Sequence, residues 1–156
     1  MRGESDPVAM ARAIVDANLY MVLGTADERG LAWVSPVYYA HIDYREFLWV
    51  SRPETLHSRN LVARPQISLV IFDSSTPIGT GQGVYAAAAA EEVTGDARLG
   101  MIDVFSRRSI GHGGGAFALA DVDPPAELRL YRAAATAHFI LGPIDRLVAV
   151  DLCGKS

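Results

Sequence analysis

Between Leu19 and Ser51 the chain alternates apolar runs with turns too short to hold a helix, and this constrains the fold more than any other feature. The runs are YMVLGTA, LAWVSPVYYA and FLWVS, all rich in β-branched and aromatic residues. Asp27 to Gly30 supplies turn chemistry after the first, and Asp43 to Glu46 supplies it before the third. Parallel neighbours need a crossover of roughly a dozen residues or more, which neither gap provides. An antiparallel meander of three strands is therefore predicted. Pro36 has no N–H for a ladder, so a bulge or a sheet edge is expected there.

The rest of the chain adds strands and a few helices. Asp6-Pro7 combines an N-cap carboxylate with proline at the first helical position, and Val8, Ala11, Ile14 and Val15 follow on one stripe until Asn18. A second helical pattern runs from Gly95-Asp96 through ARLGMIDVFSRRS to the flexible stop GHGGG. LRLYRAAATAHFIL and LVAVDL read as strands with Gly142-Pro143 between them. VYAAAAAEEV reads as helix on intrinsic preference alone. The tally is a mainly β fold, with six or seven mostly antiparallel strands and two or three helices outside. Closing such a sheet into a barrel removes its exposed edges.

At 156 residues, half of them hydrophobic and 21% charged, the chain is predicted to form one domain over residues 1–156, with residues 1–5 frayed. A net charge of −4 argues against non-specific nucleic-acid binding. The single cysteine, Cys153, permits no intrachain disulfide, and the four histidines show no metal-ligand spacing. With no membrane-length apolar stretch and no signal-peptide pattern, a cytoplasmic location is expected.

Chemistry concentrates between Phe47 and Asp73, in FLWVSRPETLHSRNLVARPQISLVIFD. A loop and short helix carrying Ser51, Arg52, Thr55, His57, Ser58, Arg59 and Asn60 separate two apolar strands. On residue types alone the plainer reading is a solvated loop with two arginines. The same residues also suit an anion, since guanidinium and hydroxyl donors bind phosphate and a helix start favours negative charge. The order strand, S-R-P, H-S-R-N-L, R-P and I-S-L-V resembles the pyridoxamine 5′-phosphate oxidase-like family of FMN-binding split barrels, over about Asn18 to Asp151.

That resemblance implies a split β-barrel, with VYAAAAAEEV as a strand lining it. It also implies a homodimer with FMN at the interface. Val50, Ser51, His57, Ser58, Arg59 and Asn60 then match the phosphate and ribityl contacts. Where relatives often carry lysine or arginine this chain has His57, so permanent charge falls to Arg59 or Arg52. Ser35, Pro36 and Val37 match the ring-edge positions, with Tyr38 and Tyr39 after them and Gln82 near a further flavin contact. Phe139, after His138, is the expected ring contact across the dimer. Trp33 and Trp49 are read as core, and His112 as an exposed loop residue. No catalytic residue is assigned. The expected activity is an oxidoreductase passing hydride or electrons between FMN and a small organic substrate. True pyridoxamine 5′-phosphate oxidase activity is not expected, because only CGKS follows Leu152. A deazaflavin F420 reductase and a non-catalytic ligand-binding protein are the alternatives, with haem handling through His112 or His138 more distant.

Overall fold

The computed structural model describes residues 6–154; the stretch expected to be frayed, residues 1–5, lies outside them. Its helices are α1 (Pro7–Ala17), α2 (Leu56–Ala63) and α3 (Ala97–Gly111). Its strands are β1 (Tyr20–Ala26), β2 (Ala32–Tyr38), β3 (Ala40–Ile42), β4 (Glu46–Ser51), β5 (Gln66–Phe72), β6 (Gly83–Glu92), β7 (Arg129–Leu141) and β8 (Leu147–Val150). All eight belong to one sheet, in the order β2-β1-β5-β6-β7-β4-β3 with β8 also on β7. Every pairing is antiparallel.

Closure follows from this order. β2 and β3 occupy opposite ends of the sheet, yet Tyr39 alone separates them in the chain. The polypeptide thus ties the two edges together and curls the sheet into a barrel. β7 forms the split: its first half pairs with β4 through Arg129–Ala134, its last residues with β8 through His138–Leu141.

The expected meander is corrected here. The strand in LAWVSPVYYA ends at Tyr38, and a separate β3, from the last alanine of that run through His41 and Ile42, pairs with β4 in its place, which raises the strand count to eight. Tyr39 makes the corner, with its ring wholly buried and its N–H donated to the Leu19 carbonyl. Pro36 falls on the edge strand β2, on its exposed face, in an unbroken register opposite Val22.

β6 runs through the alanines as a strand. Ala86, Ala88 and Ala90 point into the barrel while Ala87 and Ala89 are exposed. The facing β7 carries a bulge at Thr136, since Ala87 pairs with Ala137 and Ala88 with Ala135. That one residue switches the inward side from Tyr131, Ala133 and Ala135 to His138 and Ile140. Trp49, Phe47, Tyr39, Met21 and Leu23 fill the interior, and α1 adds Ala11 and Val15. Outside the barrel, α3 packs Ile102 and Phe105 against Ala40, Leu48 and Leu130. Its Arg108 donates to the carbonyls of Tyr39 and Asn18, fastening the helix to the barrel corner.

Candidate functional site: a cleft between β2, α2 and α3

β4 ends at Ser51 and α2 begins at Leu56, so the chain turns sharply between them. Thr55 caps α2, its hydroxyl accepting the Ser58 N–H at 3.3 Å. His57 in the first turn swings back over the strand end. Its Nε2 lies 2.9 Å from the Ser51 hydroxyl and 3.3 Å from that of Thr55.

Ser51 and His57 form one end of a cleft of about 450 Å³, with Thr55 behind them. Pro36, Val37 and Tyr38 from β2 and Val50 from β4 line one side, and Phe105, Ser109, Gly115, Phe117 and Leu128 the other. Burial holds His57 below the ordinary imidazole range, which favours its neutral form at neutral pH. Burial pushes the Tyr38 phenol up, with the Arg108 guanidinium opposing it. The Tyr38 hydroxyl meets His112 Nδ1 at 2.8 Å, so the exposed glycine-rich turn is latched to the cleft wall.

The structure therefore gathers Pro36, Val37, Val50, Ser51 and His57. Ser35 is buried in β2 beside them, opposite Leu23. Ser58 and Asn60 turn inward instead, at 1% and 3% exposure. The Ser58 hydroxyl accepts from Thr55 at 2.7 Å, and the Asn60 amide donates to the Thr25 hydroxyl at 3.1 Å. Arg52 is exposed and paired with Glu127 at 2.7 Å. Arg59 faces another depression, shared with Asp27, Glu28 and Arg29.

Two expected contacts lie elsewhere on the chain. The Gln82 amide bridges the Leu141 backbone, donating to its carbonyl at 2.7 Å and accepting its N–H at 2.8 Å. Phe139 sits on the outer face of the sheet, in an apolar hollow of about 380 Å³ with Val22, Val34, Val70, Tyr85 and Leu147. Of the tryptophans, Trp49 is core, stacked on Tyr131 at 5.8 Å. Trp33 corrects the core expectation: it is 52% exposed, at the end of the edge strand. His138 is buried with Nε2 2.7 Å from the Tyr44 carbonyl, and His112 is exposed as expected. Thr55 was legible as an N-cap three residues before Ser58. Phe105, Phe117 and Leu128 carried no signal, since α3 folds back across the cleft from far along the chain.

The pyridoxamine 5′-phosphate oxidase family model matches residues 9–136. No curated protein matches the sequence. Among solved structures, a haem-binding protein from Mycobacterium smegmatis superposes with a TM-score of 0.68 at 19% identity, covering 96% of this chain. This chain spans 59% of that protein's length. HutZ, the haem storage protein of Vibrio cholerae, gives 0.67 at 19% identity over 85% of this chain and 92% of its own. A structure described as an F420 reductase gives 0.56 at 17%, covering 77% and 88%. At these identities the superpositions establish the fold alone. Together with a sequence match across most of its length, they show that the chain belongs to the pyridoxamine 5′-phosphate oxidase-like family.

Proposed function

We propose that the chain is a flavin-binding oxidoreductase that takes FMN in the cleft between β2, α2 and α3. It passes hydride or electrons between the flavin and a small organic substrate. The observation that carries this reading is the pairing of Ser51 and His57, with Thr55 hydrogen-bonded behind them, at one end of a largely apolar slot. Val37, Val50, Phe105, Phe117 and Leu128 suit a flat conjugated ring, and the hydroxyl and imidazole groups suit a phosphate tail. Bound FMN supplies the electron chemistry. The chain's own residues bind it, orient it and exclude water.

The same reading includes a homodimer. The outer sheet face is apolar, with Val34 67% and Leu147 50% exposed around Phe139. A second copy seated on that face carries Phe139 towards the neighbouring cleft. F420, with its longer acidic tail, asks for an extended basic track. Arg64 is instead spent on the Asp27 and Glu28 carbonyls, at 2.7 and 3.1 Å.

Titrating the apo-protein separately with FMN, F420 and haemin, followed by absorbance and flavin fluorescence, tests the cofactor. FMN is expected to saturate at about one per chain, with F420 and haemin binding weakly. Tight haemin binding without FMN binding would overturn the flavin reading. Steady NAD(P)H consumption with an added acceptor separates an enzyme from a carrier.

A further inference from the structure

We propose that His57 is a conditional phosphate receptor: binding of the ligand's phosphate draws a proton from solvent onto its imidazole. This rests on the flavin-phosphate reading of the cleft and adds to it how the site holds its anion.

The guanidinium groups around α2 are engaged away from the cleft. The Arg52 guanidinium is held by Glu127 at 2.7 Å, with both side chains well exposed. Arg59 opens onto the depression beside Asp27 and Glu28. Arg64 donates to two backbone carbonyls. Arg129 donates to the Leu128 carbonyl at 2.7 Å, and its Nε is 3.8 Å from Glu92. None of these is aimed at the Ser51 hydroxyl. The group that is aimed there, and can gain charge, is His57.

Among the described residues no carboxylate hydrogen-bonds the ring. Among the described residues its hydrogen-bonding partners are the Ser51 and Thr55 hydroxyls. Across the cleft stand the Tyr38 phenol and Ser109, with Arg52 and Glu127 paired outside. On the barrel side Tyr131 meets Ser58, with Arg129, Glu92 and Glu54 around it.

Half-burial disfavours the charged imidazole, and a neighbouring phosphate dianion reverses that balance. Protonation also makes both ring nitrogens donors, so the imidazolium, Ser51 and Thr55 can all face the phosphate oxygens. The balance is simple: neutral His57, one solvent proton and a phosphate dianion give imidazolium and bound dianion. Affinity therefore falls as pH rises from the lowered range of the free imidazole up to the point where the bound imidazolium itself titrates, with a limiting slope of about tenfold per unit between the two. Working at about pH 7.5 keeps the measurement clear of the phosphate's own second ionisation, near about pH 6.

Calorimetric titration with FMN, in buffers of different ionisation enthalpy at about pH 7.5, counts the protons taken up. Riboflavin, which lacks the phosphate, is titrated in parallel. About one proton per FMN and none for riboflavin is expected. His57→Lys should abolish the uptake, flatten the pH dependence and tighten FMN binding. His57→Gln should abolish the uptake and weaken FMN towards riboflavin, and unchanged riboflavin affinity reports an intact cleft in both. FMN binding without uptake in the native chain, or uptake that persists in both variants, would overturn the proposal. If neither FMN nor riboflavin binds, the flavin reading itself fails and this inference goes with it.

Discussion

Within α2, neighbouring side chains serve different purposes because successive residues point about 100° apart around a helix. His57 reaches the cleft, Ser58 and Asn60 enter the barrel wall, and Arg59 faces away. Of the motif H-S-R-N only the histidine lines the cleft, and the cap at Asp6 was readable from local chemistry. Which side each residue takes depends on how α2 lies against β1, which no local pattern encodes. Asn60→Ala leaves the Thr25 hydroxyl without its buried donor, so a loss of about 1–2 kcal/mol of stability is expected in urea denaturation. FMN affinity should barely change. Full stability with lost FMN binding would move Asn60 from the scaffold into the site.

At the scale of elements, β6 sets intrinsic preference against context. Five alanines and two glutamates favour a helix, yet the segment is a strand whose alternate alanines line the barrel. Alanine on both faces erases the period of two that normally reveals a strand. Small inward residues leave room for Trp49, Phe47 and Tyr39, which fill the same interior. Ala88→Leu should overpack that interior and cost about 1–3 kcal/mol, whereas Ala89→Leu on the exposed face should change stability by less than about 0.5 kcal/mol. Equal effects in thermal melts would contradict the alternation. β7 was legible as a strand, but the bulge at Thr136 reverses its inward parity partway along, so a single alternation would assign the wrong face to one half. The meander failed at Tyr39 for a related reason, since one buried aromatic turned a single apolar run into two strands on opposite edges.

For the whole molecule, the consequential surface is the apolar outer face of the sheet. The proposed pairing through this face predicts that the native chain sediments as a dimer and that Val34→Asp, which places a charge there without touching the barrel interior, sediments as a monomer. FMN affinity should fall with it if Phe139 serves the neighbouring cleft. A variant that stays dimeric would clear this face of the role. The antiparallel class, two of the helices and the Asp6 cap were determined by the sequence alone, because each rests on residues close together in the chain. Resemblance supplied the strand identity of β6 and the split topology. Only the tertiary structure decided that β2 and β3 bracket the sheet, that α3 walls the cleft with Phe105 and Phe117, and that Arg59, Gln82 and Phe139 lie away from His57 within one chain. Those outcomes depend on closing the barrel and on folding a helix back across it. Both are contacts between residues far apart in sequence, which local preference does not constrain.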